Sequence, residues 1–188
     1  MQLPAPSYDE ALVPAYELPA LLRSEAGSSI DSADAWRQLR RPELLELFRS
    51  HVYGRFEAAV DVRVVPVVSD APACGGLAAR SELDVVLRGN GREVTLRVLV
   101  FTPSAGPGPF PALVGLNLFG NQTVSPDPDV RLAQGWLPEN PDLGLLGNRA
   151  SEASRGMHAS RFPVEMLIAR GFGLVTAYAG DIDPDFDD

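Results

Sequence analysis

Two apolar runs in the last third of the chain, Ala112–Leu118 and Phe172–Ala179, flank a long loop and a helical pattern from Pro163 to Arg170. Ala112–Leu118 is apolar without alternation, as expected of a strand covered on both faces of a sheet. Val164, Leu167 and Ile168 recur at helical spacing, and Arg170-Gly171 closes the segment by matching the dipole and permitting a left-handed cap. A strand, a helix and a second strand in this order call for parallel pairing through a crossover. That requirement excludes all-α and simple all-β architectures.

The preceding segments supply an antiparallel flank. Val60 to Val68 alternates apolar residues with Asp61 and Arg63, and Pro66 marks a strand end or a sheet edge. Leu83–Arg88 and Arg92–Phe101, joined by Gly89-Asn90-Gly91, form a hairpin signal, because Asn-Gly tolerates the positive φ of a tight turn. Val94, Leu96, Val98 and Val100 should share one face. Upstream, Pro42, Leu44, Leu45, Phe48, Val52 and Gly54 spell a helix with a stop, expected to lie on the core. Residues 1–33 read as an extended or disordered leader and 34–188 as one domain. The fold class is α/β, a mixed sheet with antiparallel edge strands followed by a parallel β-loop-α-β unit.

A net charge of −9 repels phosphate backbones and anionic headgroups, so neither nucleic acid nor a membrane is an expected partner. The N-terminus shows no signal peptide, which makes the product cytoplasmic as written. Cys74 has no second cysteine to pair with and no basic neighbour in sequence to activate it. It reads as a bystander thiol.

Residues 119–162 form a connection far longer than usual, and such loops are generally functional or disordered. Asn117, Gly120 and Asn121 follow the central strand, where α/β sheets place their ligand crevice, and are the substrate-cleft candidates. The competing reading has the two Asn side chains satisfying backbone groups of the loop. Trp136 could stack on a sugar or anchor the loop; Arg149, Arg155 and Arg161 could meet a carboxylate or tie the loop to neighbouring acids. His158 could be taken for a general base but has no evident nucleophilic partner and reads as a surface or loop-packing histidine, and His51 reads as a dipole-matching residue. The five acids of Asp181-Ile-Asp-Pro-Asp-Phe-Asp-Asp188 lack the glycine and distal glutamate of an EF-hand loop and read as a solvent-facing turn, so no metal is assigned. No Gly-x-Ser-x-Gly elbow occurs, and Ser154 and Ser160 precede a helix rather than top a strand. No catalytic residue is assigned.

Three blocks together resemble one family. Arg161-Phe-Pro-Val-Glu-Met-Leu-Ile-Ala-Arg-Gly-Phe-Gly-Leu-Val-Thr-Ala-Tyr-Ala-Gly-Asp-Ile-Asp-Pro-Asp, Gly115-Leu-Asn-Leu-Phe-Gly-Asn121, and Arg41-Pro-Glu-Leu-Leu-Glu-Leu-Phe with Val-Tyr-Gly-Arg55 are similar to stretches of the glucuronoyl esterases, carbohydrate esterase family 15. The resemblance implies the N-terminal portion of an α/β-hydrolase, cut before the nucleophile. It implies a carbohydrate-ester substrate, a 4-O-methylglucuronoyl ester joining xylan to lignin alcohols, in a family whose relatives are often labelled acetylxylan esterases and are usually secreted. The family's serine lies in a Gly-Cys-Ser-Arg-x-Gly elbow, with an acid and a histidine beyond it, and none of these is in the chain. The expectation is therefore an inactive fragment with no cofactor, prone to self-association through an unpaired sheet edge beside Phe172–Ala179. The alternative is a non-catalytic carbohydrate- or protein-binding module.

Overall fold

The computed structural model describes residues 7–55 and 59–186. The chain forms two compact units, Met1–Glu57 and Ala58–Asp188.

In the first unit, Ser32 caps a helical stretch by accepting a hydrogen bond from the Ala35 amide at 3.1 Å. The helix runs through Arg41–Phe48, with wider π-type turns at Trp36–Arg40 and Arg49–Tyr53, and ends where Gly54 turns to φ 74°. Leu45, Phe48 and Val52 stay exposed, so the apolar stripe that was expected to be covered is not buried within its own unit. The buried position is Arg40, whose Nε donates to the Leu21 carbonyl at 3.1 Å and whose Nη1 meets Glu43 at 3.2 Å. A short bridge, Arg23 with Ser29, gives the segment before the helix local structure.

The second unit is a five-stranded mixed sheet. Its strands are β1 (Asp61–Ala73), β2 (Ala78–Gly89), β3 (Arg92–Pro103), β4 (Ala112–Asn117) and β5 (Gly173–Tyr178), in the spatial order β1-β2-β3-β5-β4. The hairpin forms as the sequence requires: Asn90 at φ 50° and Gly91 at φ 73° make a two-residue turn between β2 and β3. Pro66 lies on the outer strand β1, although the strand continues past it through register shifts. β4 and β5 are parallel, Ala112 opposite Gly173 through Asn117 opposite Tyr178. The helix Val164–Ala169 joins them, with Val164, Leu167 and Ile168 buried.

Two expectations are corrected. β5 is not at an edge: it pairs antiparallel with β3 on one side and parallel with β4 on the other. The open edge belongs to β4, because the long connection carries the chain back into the gap between β3 and β4. Nor is β4 covered on both faces: Leu113 and Leu116 are exposed, and Val114 is 79% exposed.

Alternation along β3 does put Val94, Leu96, Val98 and Val100 on one face. The residues sealed from solvent are on the other: Leu99 and Phe101, with Leu174 of β5, under Val124, Val130 and the helix. The loop thus adds Val124 and Val130 to this core and packs Leu137 and Leu145 against Tyr178, which places its functional-looking residues against the sheet.

Candidate functional site

β4 and β5 end side by side at Asn117 and Tyr178, and the loop turns inward there. Asn121 Nδ2 donates to the Arg97 carbonyl at 2.9 Å, which leaves its Oδ1 to accept from Asn117 Nδ2 at 2.7 Å. The remaining Asn117 N–H reaches Thr176 Oγ1 at 3.2 Å. Both amides are therefore oriented, and Asn117 Oδ1, buried, accepts no hydrogen bond among the described residues. Asn117 lines a small cleft with Leu116, Leu118, Phe119, His158 and Arg161.

Gly120 sits at φ 89°, ψ 152°, a region open almost only to glycine. A Cβ there would lie 2.9 Å from Ala133 Cβ and inside contact distance of Gln122 Oε1. Gly120→Ala is expected to cost about 2 kcal/mol or more, from backbone strain plus overpacking. A urea midpoint equal to that of the parent would refute this.

The structure thus brings Asn117, Gly120 and Asn121 together, but Asn121 serves the backbone of β3 rather than of the loop, and Asn117 bonds the side chains of Asn121 and Thr176. Sequence reasoning missed Gln122 beside them. Fully buried, Gln122 donates to the Phe119 carbonyl at 2.9 Å and accepts from the Ala133 amide at 3.1 Å, while its own carbonyl holds the Gly156 amide at 2.9 Å. Three parts of the loop converge on one residue.

Also missed was a charge network under the loop. Glu82, 1% exposed, accepts from Arg131 Nε at 2.8 Å, and Arg131 Nη2 reaches Asp84 at 2.8 Å. Buried Arg80 lies 3.8 Å from Glu82 and 3.1 Å from Asp127, the latter an ion pair whose angles fall short of a hydrogen bond.

The other candidates mostly find structural work. Trp136 accepts from the Tyr178 hydroxyl at 2.9 Å through its carbonyl and packs its ring on Phe186. Arg155 grips Glu152 at 2.7 Å and the Val130 carbonyl at 2.6 Å, and Arg149 donates to the Gln134 carbonyl at 3.2 Å. Arg161 makes no ion pair among the described residues. Asp181 is a correction: it is not solvent-facing but buried, accepting the Arg97 amide at 2.9 Å and the guanidinium at 3.0 Å. Asp183 and Asp185 are exposed, and Asp187 and Asp188 lie outside the described residues. Ser154 is fully buried, with its hydroxyl donated to the Ser151 carbonyl at 2.6 Å.

The His158 ring packs on Phe119 with centroids 4.9 Å apart, and its amide donates to the Thr123 carbonyl at 2.8 Å. Burial, and then Arg161, hold its pKa below the usual histidine value. A depressed folded-state pKa means that the unfolded chain takes up the proton first. The stability due to neutral His158 is therefore complete above the ordinary histidine pKa of ~6.5 and lost as pH falls through the lower folded value. Urea midpoints should drop over that window, and His158→Phe should flatten the drop; an unchanged pH profile would count against it.

No protein-family model matches the chain. Over 180 residues it is 34% identical to a curated protein, Carbohydrate esterase MZ0003 of an unknown prokaryotic organism, covering 96% of this chain and 42% of that protein. A solved structure of a promiscuous CE15 esterase from a marine bacterial metagenome matches with TM-score 0.85 and 34% identity, over 97% of this chain and 45% of that one. A glucuronoyl esterase from Solibacter usitatus matches with TM-score 0.81 and 36% identity, over 95% and 44%. The chain spans less than half the length of these relatives, and its sheet is the corresponding part of their α/β-hydrolase architecture.

Proposed function

We propose that this chain, related in sequence and fold to the carbohydrate esterase family 15 glucuronoyl esterases, forms the antiparallel flank and one crevice wall of a serine hydrolase for glucuronoyl esters of xylan-type carbohydrate. By itself it does not hydrolyse them. Ester hydrolysis needs a nucleophile, a base and a donor for the developing oxyanion around one carbonyl. Here the Ser154 proton is committed to a backbone carbonyl and His158 to packing.

The observation that carries the reading is the open edge of β4 at the sheet end where the loop gathers Asn117 and Asn121. One parallel strand added there would bring its carboxyl-end turn beside Asn117, the place where hydrolases of this architecture mount a serine.

Assays on a methyl ester of glucuronate are expected to give background rates with these 188 residues. A polypeptide carrying them together with the remainder of the domain is expected to turn the ester over. Turnover by the 188-residue chain would overturn the division of labour.

β4 also carries no charged side chain to discourage edge pairing. The chain alone is expected to self-associate with rising concentration in light scattering, and Val114→Lys to suppress it. A monomer with a cooperative melt would favour a free-standing module.

A further inference from the structure

A cavity of about 560 Å³ opens between the turn that joins β1 to β2, the segment 124–127 and the start of the helix Val164–Ala169. That volume falls in the range of small-molecule sites, roughly 300–1,000 Å³. Phe162, Pro163 and Met166 supply apolar wall, and Ser125, Asp127 and Glu165 supply the polar groups. Among the described residues, no Arg or His lines it.

The two carboxylates act on one space. The Cys74 thiol in the wall is pushed up by burial and then by Glu165 and Asp127. They differ in what offsets them: Asp127 has Arg80 3.1 Å away, whereas Glu165 is exposed and makes no ion pair among the described residues. An uncompensated negative charge thus faces an apolar recess, in a chain whose net charge of −9 raises the local concentration of cations.

We propose that this cavity binds an organic cation, an arylalkyl- or alkylammonium whose apolar body lies against Phe162, Pro163 and Met166 and whose nitrogen faces Glu165. The aromatic ring of Phe162 and the carboxylate both favour a cation over its neutral or anionic counterpart. Nothing in this depends on the esterase reading.

The test uses 2-phenylethylammonium, 2-phenylethanol and phenylacetate, probes of one shape and three charges. Calorimetry gives each affinity, and alkylation of Cys74, the chain's one cysteine, reports occupancy of the cavity. At ten times its Kd the ammonium should leave roughly a tenth of the cavities open and slow alkylation about tenfold. Phenylacetate should protect least. Glu165→Gln should weaken the ammonium roughly threefold, the scale of an exposed ion pair, and Glu165→Arg should transfer the preference to phenylacetate. Equal protection by all three probes, no protection by any, or an unchanged preference in either variant would overturn the proposal. A melt matching that of the parent confirms that each variant is folded.

Discussion

Glu82→Leu is expected to cost about 3–5 kcal/mol, because it breaks a buried ion network from its centre. Glu82 is the carboxylate between Arg131, at 2.8 Å, and Arg80, at 3.8 Å. Its removal leaves Arg80, 4% exposed, with Asp127 alone. It also releases the main tie between the loop and β2. Against a total stability of 5–15 kcal/mol for a typical domain, that loss is large. Urea unfolding should show a lower midpoint. If the loop also detaches in the folded state, less surface is left to expose and the slope should fall as well. Asp84→Asn is the control: Asp84 shares Arg131, but its side chain is 29% exposed, and the change should stay within about 1 kcal/mol. A Glu82→Leu loss no larger than that of the control would mean that packing, not charge, holds the loop.

The same residues show where sequence was a sufficient guide. Asn90-Gly91 determines its turn from two adjacent φ values, so the hairpin could be read locally. Val164, Leu167 and Ile168 determine the buried helix face, and the parallel pairing of β4 with β5 follows from the helix between them. The place of β5 inside the sheet could not be read in this way. Being last in sequence suggests an edge, and only the return of the chain over 44 residues, from 119 to 162, lets it enter beside β3.

Arg80, Glu82 and Asp84 alternate with Ala79, Ser81 and Leu83 in the pattern of a strand with one wet face. That face is dry at Arg80 and Glu82 because the loop covers it, with Arg131, 47 residues beyond Asp84, reaching both Glu82 and Asp84. Asn117, Gly120 and Asn121 were legible by position, at the end of a strand that the crossover requires to be near the crevice. Gln122 was not, since a glutamine that organises backbone looks in sequence like any loop glutamine.

Asn117→Asp tests the site itself, and its expected signature is a pH-dependent deficit. Asn121 Nδ2 is held by the Arg97 carbonyl, so Asn121 Oδ1 must face Asn117, which answers with N–H at 2.7 Å. Aspartate has the same shape but sets a carboxylate oxygen against that oxygen, in a position 2% exposed. Two acceptors then meet without a proton, and a buried charge goes unpaired. The expected loss near neutral pH is about 3 kcal/mol or more. Burial raises the folded-state pKa of the new carboxyl above its ordinary ~3.9, so the penalty is full above the folded value. It shrinks as pH falls through that value, because the protonated acid can donate to Asn121 Oδ1 as the amide did. Asn117→Leu carries no proton and should show a deficit that does not change with pH. Urea midpoints of the three proteins along a pH series separate the cases: convergence of the Asp variant on the parent in acid supports the assigned amide orientation, and a constant gap would reverse it.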